Sequence, residues 1–169
     1  MNMPITRIAT DLNNGTYFIT FSVFRSLYVL DRFNRWNILS NSLQYCIKNK
    51  SLKLEAFVFM INHIHLIVTS NDVSGFVRDF KKFTSKKLKE NIIENEKYLL
   101  RQIINHQGEF QFWQHKNAPR YIESEWFFHQ KLEYIHNNPV VKEYVMREED
   151  WYWSSANHNC EIEVDRSNW

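Results

Sequence analysis

Three groups of residues have the types and spacing to do chemistry. Asn62-His63-Ile64-His65-Leu66-Ile67-Val68 reads as a strand, and side chains two apart on a strand leave the same face. His63 and His65 therefore project together, two imidazoles side by side, which is half of a divalent-metal site. The same spacing suits two histidines merely hydrogen-bonded at a sheet surface, and a third ligand is what separates the readings. In Glu133-Tyr134-Ile135-His136-Asn137-Asn138-Pro139-Val140 a phenol and an amide stand four apart near a helix end, so Tyr134 and Asn138 share a face. A phenol can be a nucleophile. Viewed by itself, Tyr before Asn-Pro is equally a helix end with a packed aromatic. The third group lies between Val73 and Glu90, where Arg78, Lys81, Lys82, Lys86, Lys87 and Lys89 face only Asp79 and Glu90, in a chain whose net charge is +2. A helix so charged can lie along a phosphate backbone, with Thr84 and Ser85 as hydroxyl donors and Trp113 as a surface for base stacking. A solvated helix face is the ordinary alternative.

The elements that must position these residues follow from periodicity. Thr16 to Phe24 alternates as a strand, with Tyr17, Ile19, Phe21 and Val23 on one face and Phe18, Thr20, Ser22 and Phe24 on the other. Asn34 to Lys48 has helical spacing at Trp36, Leu39, Leu43 and Ile47, with Asn34 placed to cap it. Leu52 to Met60 and His63 to Thr69 are two strands about a tight Ile61-Asn62 turn. Val73 to Glu90 is a helix with Phe76, Phe80, Phe83 and Leu88 as its buried stripe and Ser74 as cap. A further helical pattern runs from Ile92 to Ile104, Phe110 to His115 is a short aromatic strand, and Glu125 to Asn137 is a helix that Pro139 ends. Strand, helix, strand, strand, helix, strand, helix suits an α+β fold: a ferredoxin-like antiparallel sheet with helices on one face.

Composition removes several classes. The 169 residues suit a single domain over 1–169, with an N-terminal arm at 1–14 and a C-terminal tail at 157–169. With three Gly in all, no phosphate-cradling glycine loop can be written. Cys46 and Cys160 are too far apart for a metal knuckle or a disulfide scaffold, which suits a reducing cytoplasm. The uncharged stretch Ala56 to Val68 is too short to span a bilayer, and no leader pattern opens the chain, so neither membrane nor secretion is expected.

Taken in order, these motifs carry a resemblance. His63-Ile64-His65 resembles the HUH motif of single-tyrosine HUH endonucleases, and Tyr134-Ile135-His136-Asn137-Asn138-Pro139-Val140 resembles the Tyr-Ile-x-x-Asn-Pro-Val segment of REP-associated tyrosine transposases, in the IS200-like group. Phe112-Trp113-Gln114 is similar to the stretch before the tyrosine helix, Asp150-Trp151-Tyr152-Trp153-Ser154-Ser155-Ala156 to the Trp-x-x-Ser-Ser-Ala segment after it, and Phe80-Lys81-Lys82-Phe83-Thr84-Ser85 sits where the family has a basic helix. Ile61 replaces the Pro that often precedes the Asn-His of the family, and the stretch from Ile92 to Gly108 matches nothing in it.

The resemblance implies a ferredoxin-like nuclease that cuts single-stranded DNA beside REP-like hairpins, forming a 5′-phosphotyrosine and releasing a 3′-hydroxyl. Tyr134 would be the nucleophile, and His63, His65 and Asn138 would hold Mg²⁺ or Mn²⁺, the nitrogen-rich set favouring Mn²⁺. Arg78, Lys81, Lys82, Thr84, Ser85, Lys86 and Trp113 would contact the DNA. His136, two residues from Tyr134 on a helix, would face elsewhere, and no neighbour that favours the phenolate can be named beyond a weak case for His115. The partner would be hairpin single-stranded DNA in the bacterial cytoplasm, at the nucleoid when acting, with monomer and homodimer both open. Two alternatives are a module that binds hairpins without cutting and a metal-dependent nuclease that uses water.

Overall fold

The computed structural model describes residues 14–116 and 119–169. Most of the expected N-terminal arm lies outside the described residues. The elements are β1 (Gly15–Ser22), α1 (Arg35–Asn49), β2 (Lys53–Phe59), β3 (His63–Ser70), α2 (Val73–Asn95), β4 (Arg120–Tyr121) and α3 (Glu125–Val141). The sheet order is β2-β3-β1-β4, with every pair antiparallel. β3 thus lies between β1 and β2, the split βαβ arrangement, and the fold is the expected α+β, ferredoxin-like one.

Two packed layers flank the sheet. The crossovers β1-α1-β2 and β3-α2-β4 each join parallel strands, so their shared handedness places α1 and α2 on one face. That face holds the larger core, with Ile19, Phe21, Phe57, Leu66, Leu39, Phe80 and Leu88 all buried. α3 follows the last strand, is not bound by that rule, and takes the opposite face, where Phe128 and Ile135 pack on Phe18, Ala56, Val58 and Ile67. Helices on one face describes α1 and α2 only.

Local expectations fail where tertiary contacts decide. α2 runs to Asn95 and absorbs Ile92, so the expected second helix reduces to a 3-10 turn at Lys97–Arg101. Its cap is Asp72, whose Oδ1 accepts from the Gly75 N–H at 2.8 Å, and not Ser74. Asn34 does precede α1, in the left-handed region at φ 58°, but makes no side-chain cap bond. The buried stripe of α2 is Phe76, Phe80, Thr84, Leu88 and Ile92, an i+4 row, while Phe83 is 52% exposed. Phe110 to His115 forms only single bridges at Phe110 and Trp113, and the fourth strand is Arg120–Tyr121.

Pro139 lies inside α3 and does not end it. Proline removes one backbone donor, and the Asn138 carbonyl still accepts from Lys142 N–H at 3.1 Å, so the last turn closes around it. The segment Trp151 to Ala156 lays backbone on the free edge of β2: Phe59 N–H donates to Trp153 O at 2.8 Å and Ser155 N–H to Phe57 O at 2.9 Å. The expected tail also packs, with Ile162 in the larger core and Trp169 Nε1 donating to Glu55 O at 3.0 Å.

Candidate active site

His63, His65, Tyr134 and Asn138 come together on the α3 face of the sheet. In β3 the alternation sends Ile64, Leu66 and Val68 into the larger core and His63, His65 and Ile67 to the other side. The two imidazole centroids are 4.7 Å apart, and the Tyr134 ring lies edge-on to His65 at 5.2 Å. Asn138, one turn beyond Tyr134 on α3, is 7% exposed and lies against His63. Tyr134 is 48% exposed, so its phenol faces solvent while its ring packs on His65 and Phe18.

The imidazoles are held by their Nδ1 atoms. His63 Nδ1 lies 2.6 Å from Asn62 Oδ1, and since that oxygen only accepts, the proton sits on Nδ1 and the lone pair on Nε2. His65 Nδ1 lies 2.8 Å from Thr20 Oγ1, and Thr20 is the residue opposite His65 in the β1–β3 register. The buried His65 Nε2 and Asn138 Oδ1 then have no hydrogen-bond partner. Unpaired buried polar atoms are costly, and two of them converging beside a second imidazole match the donor set a divalent cation takes. Among the described residues no three His, Cys, Asp or Glu side chains gather as a metal set, and the oxygen that stands beside the two imidazoles is that of the Asn138 amide.

Burial decides the charge state. It pushes His63 down to about 4, with Lys142 adding to the fall and Asn138 opposing it. It pushes His65 down to about 3, with the neighbouring His63 and then Lys131 adding. Both rings are neutral at physiological pH, the form that ligates metal.

His136 faces elsewhere, as expected: its Nε2 lies 2.8 Å from Ser155 Oγ, in the interior. Ser155 Oγ in turn accepts from Phe57 N–H at 3.1 Å. The Ser-Ser-Ala segment thus ties α3, and with it Tyr134, to β2.

The expected DNA-contact residues are not brought to this site. Arg78, Lys82, Ser85 and Lys86 belong to α2, on the other side of the sheet. Arg78 pairs with Asp79, and Lys81 Nζ donates to the Gln114 carbonyl at 2.7 Å. Thr84 and Trp113 must be corrected outright. They are 0% and 3% exposed, and Trp113 Nε1 donates to Thr84 Oγ1 at 2.9 Å inside the core, so neither reaches a phosphate or a base.

Sequence reasoning missed Thr20 and Asn62 as the residues that orient the imidazoles, and Lys131, whose ammonium lies 5.5 Å from the Tyr134 ring centroid. Lys131 stands three before Tyr134, so helical spacing was a usable signal for it. Thr20 needed the strand register.

Comparison with known proteins agrees with this architecture. The structure of the REP-associated tyrosine transposase bound to a REP hairpin superposes with a TM-score of 0.65 and 20% identity, covering 94% of this chain and 90% of that one. It has the same α+β fold. A candidate transposase from Deinococcus radiodurans aligns at a TM-score of 0.49 and 16% identity, over 73% of this chain and 90% of that one, too distant to carry argument. The family described as "Transposase IS200 like" matches residues 23–138, and the chain belongs to that family. No curated protein matched. Among the described residues no helix is long and apolar enough to cross a membrane.

Proposed function

We propose that this transposase cuts and rejoins single-stranded DNA beside a hairpin through a 5′-phosphotyrosine on Tyr134, with His63, His65 and Asn138 holding a divalent cation, Mg²⁺ or Mn²⁺. The observation that carries the reading is the pair of unpartnered buried atoms, His65 Nε2 and Asn138 Oδ1, beside His63 and the exposed phenol. A hairpin is what the structural relative binds, and we take the same class of DNA as the partner here.

The chain's own groups divide the work. Thr20 and Asn62 hold the imidazoles by Nδ1, which leaves Nε2 as the nitrogen that would ligate an ion. A cation held by His63, His65 and Asn138 would supply Lewis-acid polarisation of the scissile phosphate and offset charge in the transition state. Tyr134, on the same helix face as Asn138, stands at the rim with its phenol exposed to an incoming strand. Its oxygen bonds to phosphorus as the bond to the 3′-oxygen breaks; the phenol proton leaves to water, and the 3′-oxygen takes one up. Reversal by that hydroxyl needs no nucleotide triphosphate, because the phosphotyrosine keeps the bond energy.

The test is an adduct assay: purified protein, Mn²⁺ or Mg²⁺, and 3′-labelled single strands spanning the hairpins beside its own gene, with Tyr134→Phe alongside. A metal-dependent, denaturation-resistant band absent in Tyr134→Phe is expected. Cleavage with no protein-linked product would instead support water as nucleophile. Tight hairpin binding with bound metal and no product would support a module that does not cut.

A further inference from the structure

Of the cations that sequence reading placed on DNA, Arg78 and Lys81 are engaged by the protein itself, while Lys82 and Lys86 have no ion pair among the described residues but lie on α2, across the sheet from the candidate site. On α2 and its neighbours, Arg78 and Lys50 both pair with Asp79, Lys87 pairs with Glu90 at 3.1 Å, and Lys81 caps a carbonyl. The α3 face of the sheet, which carries the candidate site, has cations of its own. Arg120, Lys131 and Lys142 surround the candidate site, and among the described residues none of them has a carboxylate within ion-pair distance; Glu133 lines the hollow beside Lys142 without pairing to any of the three.

Their placement is specific. Lys131 Nζ sits 5.1 Å from the Phe18 centroid, 5.2 Å from Phe127 and 5.5 Å from Tyr134. Phe18 itself stacks on His65 at 5.3 Å, so a single ring separates this ammonium from a candidate metal ligand. Arg120 pairs with Phe18 across β4 and β1 and stands exposed at that edge. Lys142 follows the end of α3 and lines a hollow of about 370 Å³ with Tyr134 and Asn138. Like charges held together without counter-charge repel, and an anion arriving between them relieves that cost.

We propose that Arg120, Lys131 and Lys142 take the phosphates flanking the scissile one, so that the single strand runs across the α3 face of the sheet, over Phe18 and past Tyr134, and not along the basic face of α2. This rests on the reading of Tyr134 as the site of attack. Lys131 is the central contact: its aromatic cradle leaves the ammonium little freedom, so a phosphate gripped there is held in register with the phenol. Burial, with Arg120 adding, lowers the Lys131 pKa, consistent with a cation short of compensating charge.

The experiment measures binding without cutting. A fluorescein-labelled (dT)₁₆ oligonucleotide is titrated by anisotropy in chelator across a range of KCl, in a Tyr134→Phe background that keeps the ring. Each phosphate contact contributes about 0.7 to the slope of log K against log salt for a single strand. Arg120→Gln, Lys131→Met and Lys142→Met are each expected to lower the slope by about that amount and to weaken binding roughly three- to tenfold. Lys131→Arg should keep the slope, which separates charge from packing. Lys82→Met, on α2, should change little. Unaltered slopes in all three variants, loss confined to Lys82→Met, or no binding by the parent protein would overturn the proposal. The adduct assay is separate: a Tyr134→Phe protein that still cut DNA would sink the tyrosine mechanism and leave these slopes as measured.

Discussion

Thr20→Val tests the metal reading most directly, because it removes one hydroxyl and keeps the shape of the side chain. Thr20 Oγ1 lies 2.8 Å from Nδ1 of His65, a ring only 5% exposed, so the substitution leaves a buried imidazole nitrogen without its partner. Leaving such a group unsatisfied costs about 1–3 kcal/mol of stability. It also frees the ring to turn, and loss of an outer-shell partner of a ligating histidine lowers metal affinity about ten- to hundredfold, roughly 1.4–2.8 kcal/mol. Calorimetric titration of Mn²⁺ into parent, Thr20→Val and Thr20→Ser proteins at neutral pH, paired with urea denaturation, reads both quantities. Thr20→Ser keeps the oxygen and should restore affinity. Unchanged Mn²⁺ affinity in a Thr20→Val protein that is measurably less stable would mean that the bond serves packing only, and His65 would lose its place as a ligand.

Other outcomes follow from the same geometry. Tyr134→Phe should abolish the covalent adduct while moving urea stability by less than about 1 kcal/mol, since the phenol of this 48% exposed residue faces solvent; a larger loss would mark Tyr134 as structural. Thr84→Val should cost about 1–3 kcal/mol by stranding the Trp113 indole N–H, with (dT)₁₆ affinity unchanged; a drop in affinity matching the substitution's effect on no other property would return Thr84 to the DNA surface. Burial holds His63, His65 and His136 near 4, 3 and 4, against an ordinary 6.5. The unfolded chain therefore binds more protons below about pH 6.5, so their contribution is full above that pH and is lost as pH falls toward 3, at about 1.4 kcal/mol per pH unit for each ring. Urea midpoints that stay level between about pH 7 and pH 5 would refute the buried, neutral state of these rings.

Much of the site was legible because it is built from short-range geometry. The two-residue repeat of a strand places His63 and His65 on one face whatever surrounds them, and the helical repeat aligns Tyr134 with Asn138. The alternation of β1 likewise sorts its residues into two faces, and Tyr17, Ile19 and Phe21 enter the larger core while Phe18 enters the other. Where reasoning went astray, a local pattern met a non-local competitor. Phe83 has the right character for the buried stripe of α2, yet Thr84 takes that place because Trp113, 29 residues later, needs its oxygen. Pro139 looks like a stop signal, yet packing of Ile135 against the sheet and the contact of His136 with Ser155 carry α3 past it.

By itself the sequence determined the first three strands and the three long helices, the facing of the histidine pair, the tyrosine–amide spacing and the excess of positive charge on α2, since each depends on backbone periodicity within a few turns. Only the tertiary structure decided that α3 lies across the sheet from α1 and α2, that Thr20 meets His65 through the β1–β3 register, and that the cations standing on the face of the candidate site are Arg120, Lys131 and Lys142 and not those of α2. Those facts join residues separated by tens to more than a hundred positions. The strand register and the layer chosen by each helix are settled by burying the whole core at once, which no local stretch of sequence encodes.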